Sequence, residues 1–191
     1  MSQAKQELRA QLFKNRAEMD PTHRAKENEM LLANLTHYLA AKKPKLVAAY
    51  VPGTTEPGGN LLIDEIRRHI SALILPVSLE DRRLDWALYE GPESLSPGAF
   101  GIQEPTGTRL GPEALKMCDV IIAPALAVTP TGIRMGKGGG FYDRALATGV
   151  KAEVLTLLFS GEILDDIPVE EHDRPVHIII TPAGIRNLGA F

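Results

Sequence analysis

At 191 residues, with 44% hydrophobic and 24% charged residues, the chain has ordinary globular composition, which excludes long disorder and a fibrous repeat. Its net charge of -3 gives no general attraction for polyanions, so nucleic acid is not expected as a partner. A lone cysteine, Cys118, can form neither an internal disulfide nor a thiolate zinc site, and the charged first residues carry no apolar leader; a cytoplasmic monomer with no membrane partner is expected.

Ser2 suits the cap of a first helix that carries Leu8, Leu12 and Phe13 at helical spacing, with Lys5, Arg9, Lys14 and Arg16 distributed around it. Asp20 as cap and Pro21 at the first helical position predict a second helix through Met30, Leu31, Leu32, Leu35 and Leu39. Residues 46–50 form the first predicted strand, followed by a turn rich in Pro and Gly over 52–59 and a helix over 61–69. The apolar run at 73–76 and the alternating run at 84–89 are separated by a polar turn at 80–83. Residues 91–111 read mostly as loop, long enough to serve as a lid. A short helix at 113–117 leads into 119–123, the continuous apolar run of a strand buried on both faces. A helix over 141–147 and strands at 154–158 and 177–181 complete the series.

Strands that alternate with helices and lack period-2 patterning predict an α/β fold, a three-layer αβα arrangement with a mostly parallel central sheet preceded by two N-terminal helices. With no repeat and no linker, residues 1–191 read as a single domain. Ligands then belong at the carboxyl ends of the strands.

Residues 132–144 pack five glycines and the basic residues Arg134, Lys137 and Arg144 between a predicted strand and a predicted helix. Such backbone reaches positive φ and turns several N–H groups toward an anion, and the following helix N-terminus adds partial positive charge. Arg134 would grip phosphate oxygens with its fork and Lys137 as a mobile point charge. Neither common nucleotide fingerprint matches. Three residues rather than four separate Gly132 from Gly136, Gly138 follows the lysine where a Walker loop has Ser or Thr, and Phe141 stands where a dinucleotide motif has its last glycine. By spacing alone, a phosphate cradle and a close-packed structural turn both fit.

From Pro124 to Asp143 the chain resembles the signature of the 5-formyltetrahydrofolate cyclo-ligase (5,10-methenyltetrahydrofolate synthetase) family, roughly Pro-Gly-x-Ala-Phe-Asp-x-x-Gly-x-Arg-Leu-Gly-x-Gly-x-Gly-Tyr-Tyr-Asp. Lys5 and Arg9, residues 50–56, 101–105 and 168–173 follow in the family's order, so the resemblance spans nearly the whole chain. It implies a ligase of folate one-carbon metabolism that uses ATP and Mg²⁺ to convert 5-formyltetrahydrofolate to 5,10-methenyltetrahydrofolate, with ADP and phosphate released.

The same resemblance assigns roles to residues. ATP would be bound by Lys5, Arg9, Arg134, Gly136, Lys137, Gly138, Gly139, Gly140, Phe141, Tyr142 and Asp143. Arg134, Lys137 and Tyr142 would be catalytic, Asp143 and Asp173 would hold the metal, and Tyr50, Glu56, Phe100 and Tyr142 would contact folate, with Glu56 accepting from the pterin N–H donors. The chain departs from the pattern at Gly59, Val128, Thr129 and Phe141, where the family often has Thr, Phe, Asp and Tyr. A non-catalytic folate- or nucleotide-binding relative, and a phosphotransferase with another small acceptor, are the competing readings.

Overall fold

In a computed structural model that describes residues 3–169 and 173–189, α1 (Gln3–Glu18) and α2 (Pro21–Lys42) precede the first strand. The Asp20 carboxylate accepts from the Thr22 and His23 amides, both at 2.9 Å, so two donors that a helix start leaves unpaired are satisfied. At the far end Lys43 turns left-handed and its amide donates to Leu39. Ser2 lies outside the described residues.

Five parallel strands form the middle of a seven-stranded sheet: β1 (Leu46–Ala48), β2 (Ala72–Ser78), β6 (Val120–Ile122), β9 (Glu153–Leu157) and β10 (Ile178–Thr181). β3 (Leu84–Leu88) and β11 (Gly184–Asn187) close the two edges antiparallel, giving the order β11-β10-β9-β6-β1-β2-β3. β11 was not legible in the sequence, because Gly184, Arg186 and Asn187 are poor strand formers; its ladder to β10 holds it.

The apolar strands divide residue by residue between two cores. Val47, Leu73, Leu75, Val120, Ile122, Leu155, Ile178 and Ile180 pack beneath Leu31, Leu35 and Leu39 of α2 and Ile63 and Ile66 of α3 (Leu62–Arg67). Ala48, Ile74, Ile121, Val154 and Ile179 point the other way, toward Leu115 in the 3₁₀ turn Pro112–Met117 and Ala145 and Leu146 of α4 (Phe141–Leu146). Burial on both faces is why these runs do not alternate. Each buried Leu or Ile stabilises the layers by about 2 kcal/mol.

α1 belongs to neither layer. Leu8 and Leu12 pack against Leu126, Ala127, Met135 and Ile167, a third apolar cluster beside the two-stranded ladder of β7 (Ala127–Val128) and β8 (Arg134–Met135). Phe13, expected with the apolar set, is instead 42% exposed, whereas Lys5 and Arg16, two of the basic residues distributed around this helix, are each 1% exposed. The α1 backbone thus carries buried cations toward the middle of the molecule.

The 91–111 segment is more ordered than the expected loop. β4 (Leu95–Pro97) and β5 (Gln103–Pro105) pair antiparallel, and the Glu104 carboxylate accepts from the Ser78 amide at 2.9 Å, tying the hairpin to β2. Three-residue strands containing Pro97 and Pro105 give no periodic signal.

Candidate active site

A cleft of about 280 Å³ opens at the carboxyl ends of the parallel strands. Tyr50 and Val51 reach it just beyond β1, Ser78 at the end of β2 and Pro124 just beyond β6, in keeping with the rule for open α/β sheets. The glycine-rich loop forms one wall, and Glu56, Ile102 and Glu104 also line the cleft.

The loop follows β8, which orients Arg134. Its side chain is only 2% exposed, donates from Nη1 to the Pro124 carbonyl at 3.0 Å and pairs through Nη2 with Asp143 on α4. Gly138 has φ +100, and an added Cβ there would lie 3.6 Å from the Arg9 guanidinium; Gly140, φ +69, starts α4. Both conformations disfavour any side chain. Arg9 donates from Nε to the Gly136 carbonyl at 3.0 Å, so α1 is bonded to the loop. α4 has only six residues, so its dipole adds little, and the positive character of this wall rests on Arg9, Arg134 and Lys137.

Ion pairs join residues at the site. Lys5 meets Asp173 at 2.7 Å, Arg134 meets Asp143, and Lys137 meets Glu56 at 2.8 Å. Lys5 does not itself line the cleft, although its partner Asp173 does. Glu56 is 6% exposed and also accepts from the Gly53 amide at 2.7 Å through its other oxygen. Among the described residues, no group of three or more His, Cys, Asp or Glu is arranged to hold a metal ion, and Asp143 and Asp173 enter the same cleft as a pair.

Two tyrosines complete the floor. Burial pushes the Tyr50 phenol well above its ordinary range, reinforced by the charge of Glu56, and its hydroxyl donates to the Pro57 carbonyl at 3.3 Å. Burial likewise drives Tyr142 upward, with Arg134 opposing and Glu56 adding to the rise. Both phenols therefore stay protonated donors at neutral pH. The Tyr142 hydroxyl and Arg134 Nε are buried without a hydrogen-bond partner among the described residues, the condition expected of groups awaiting a ligand. Phe100 falls in the turn Ala99–Gly101 between β4 and β5, and its side chain lies outside the described part of the structure.

Residues 1–182 match the 5-formyltetrahydrofolate cyclo-ligase family. The chain belongs to that family. Members of the family are ligases, and the 5-formyltetrahydrofolate cyclo-ligase of Mycolicibacterium smegmatis is 36% identical over 185 residues, covering 94% of each chain. The solution structure of the 5,10-methenyltetrahydrofolate synthetase of Aquifex aeolicus superimposes with a TM-score of 0.82 at 32% identity, over 98% of this chain and 94% of that one. The synthetase of Mycoplasma pneumoniae shares the fold, with a TM-score of 0.75 at 17% identity over 93% and 98% of the two chains.

The departures from the family pattern have local physical roles. Thr129 Oγ1 accepts from the Ile133 amide at 3.0 Å and closes the turn between β7 and β8, work an Asp side chain does equally well in such turns. Val128 is fully buried in the core beside α4, and the Arg144 guanidinium lies 5.8 Å from the Phe141 ring centroid, a cation–π contact that needs no phenolic hydroxyl. Gly59 sits at φ +54 in a 3₁₀ turn against the Asn28 side chain.

Pro76, Ser78 and Leu84 also line the cleft without having been singled out as site residues: the carboxyl end of β2 supplies Pro76 and Ser78, and the antiparallel return of β3 supplies Leu84. Arg16 was also missed. Its Nε and Nη2 grip the Glu162 carboxylate at 2.6 and 2.8 Å, Nη2 donates to the Ala125 carbonyl at 2.8 Å, and its charge reaches Tyr50 and Glu56.

Proposed function

We propose that this protein converts 5-formyltetrahydrofolate to 5,10-methenyltetrahydrofolate with ATP and Mg²⁺, releasing ADP and phosphate. The observation that carries the reading is one cleft lined by Arg9, Arg134 and five consecutive loop residues from Gly136 to Gly140, together with the buried carboxylate Glu56 and the phenol Tyr50.

The formyl oxygen attacks the γ-phosphorus, and the bond to ADP breaks. N10 then attacks the activated formyl carbon and gives up its proton to solvent, and the C–O bond breaks to free phosphate and leave the methenyl bridge. Transfer of this kind depends on positioning and charge neutralisation more than on covalent chemistry by the protein. Arg134 and Lys137 bind the phosphates, with Arg9 from α1 and the loop amides completing the cradle, and the Gly136 to Gly140 backbone allows close approach. Glu56 accepts from the pterin N–H donors and Tyr50 borders the same ring. The protonated Tyr142 hydroxyl, buried in the same cleft, donates to an oxygen at the junction of the two ligands.

Asp143 and Asp173 suit a Mg²⁺ ion that arrives with nucleotide phosphates, since this ion keeps several waters and needs only one or two carboxylates beside them. When bound, Mg²⁺ neutralises charge on the transferring phosphoryl group. Lys5 orients Asp173 from behind through their 2.7 Å pair.

Absorbance of the methenyl product tests the reading. Purified protein mixed with 5-formyltetrahydrofolate and Mg²⁺ is expected to develop the band only when ATP is present. ATP binding without the band would leave a binding relative or a different acceptor.

A further inference from the structure

The Lys137 ammonium lies 2.8 Å from Glu56 Oε1, and both residues line the cleft although they come from loops 81 positions apart. Their environments differ: the Lys137 side chain is 42% exposed and mobile on its stem, whereas that of Glu56 is 8% exposed, with Oε2 fixed by the Gly53 amide. A charged carboxylate that deep needs a partner at its remaining oxygen, and removal of one member of such a pair leaves an uncompensated buried charge. Lys137, proposed above as a phosphate ligand, is therefore also the counter-ion of Glu56.

From this shared ammonium we infer that the nucleotide and folate half-sites are thermodynamically coupled, with Lys137 as a positioning residue for Glu56. The inference rests on the proposed cyclo-ligase reading. A polyphosphate carries several negative charges against the single charge of Glu56, and its oxygens draw Lys137 away. Glu56 then stands buried with Oε1 lacking its cationic partner, and a pterin N–H donor supplies the missing bond. Conversely, folate seated on Glu56 releases Lys137 to the phosphates. Each ligand thus strengthens the other, and the factor is the same in both directions.

The experiment is titration calorimetry with 5-formyltetrahydrofolate, without and with a saturating non-hydrolysable ATP analogue and Mg²⁺. Couplings between sites commonly span about 5–150-fold, and we expect folate to bind about tenfold tighter in the presence of the analogue. In Lys137→Met and Glu56→Gln the ratio falls toward one, each measured at an analogue concentration that saturates that variant, whereas Lys137→Arg, which keeps the charge, retains a ratio of several-fold. A merely structural role for Lys137 would lower absolute affinities and leave the ratio intact. A wild-type ratio of one, or a ratio preserved in both Lys137→Met and Glu56→Gln, overturns the coupling while the cyclo-ligase reading stands. Failure of folate to bind wild-type protein under either condition overturns both.

Discussion

Arg134 is held on two sides by the Pro124 carbonyl and the Asp143 carboxylate, and its Nε is buried without a partner among the described residues. The Pro124 anchor keeps the guanidinium in place when phosphate and Mg²⁺ take over from the Asp143 pair, and a donor held by the protein is one that contributes most to stabilising developing charge. Arg134→Ala and Lys137→Ala are each expected to lower turnover by about 10²-fold or more, the scale for loss of one preorganised transition-state donor, read by initial rates at saturating substrates. Near wild-type rates in both would remove the loop from the chemistry. That Arg134, Lys137 and the glycines line one cleft was legible because they lie close together in sequence, within a single loop. Their present partners were not: Lys137 with Glu56 and Lys5 with Asp173 pair across 81 and 168 positions, and no local pattern encodes which carboxylate a cation will meet. Cys118, the lone cysteine, is a buried thiol, and burial, with Asp119 adding, pushes its pKa up to about 12.

At the scale of elements, α1 is held to the α/β layers by one polar anchor as much as by Leu8 and Leu12. The Arg16–Glu162 pair is almost fully buried, and Glu162 Oε2 also accepts from the Phe159 amide at 2.9 Å. Burial alone would lower the Arg16 pKa, but Glu162 more than offsets this and keeps the guanidinium charged. Truncating one partner strands the other, so Arg16→Met is expected to destabilise by about 3–5 kcal/mol. That corresponds to a fall in melting temperature of roughly 10 °C for a chain of this size, measured by circular dichroism. Arg16→Met combined with Glu162→Leu should recover much of the loss, since no lone charge then remains buried. A single variant melting within about 2 °C of wild type would show that apolar packing suffices. Nothing in the sequence marked Arg16, one of several basic residues on a charged helix, whereas the capping of α2 by Asp20 was legible because both cap and helix are local.

Over the whole molecule, the three-layer order follows from short unalternating apolar runs, because a strand buried on both faces has no polar side to display. The elements the sequence did not reveal, β4, β5, β7, β8 and β11, are four residues or fewer and owe their pairing to neighbours rather than to propensity. Those same hairpins bring Arg134, Ile102 and Glu104 to the cleft, so the site depends on the least legible part of the fold. The network of ion pairs sets how this assembly responds to ligands. Asp143 and Asp173 already answer Arg134 and Lys5, and Mg²⁺ alone would have to displace those cations without phosphate to receive them. Mg²⁺ by itself is therefore expected to shift the melting temperature by less than about 1 °C. Mg²⁺ with a non-hydrolysable ATP analogue at a hundred times its Kd adds about 2.7 kcal/mol, a rise of roughly 5–10 °C. Differential scanning fluorimetry with metal alone, analogue alone and both together separates these cases. A large shift with metal alone would mean that the carboxylates form a standing metal site and that the ion pairs are easily exchanged. A shift that needs phosphate supports entry of the ion with the nucleotide.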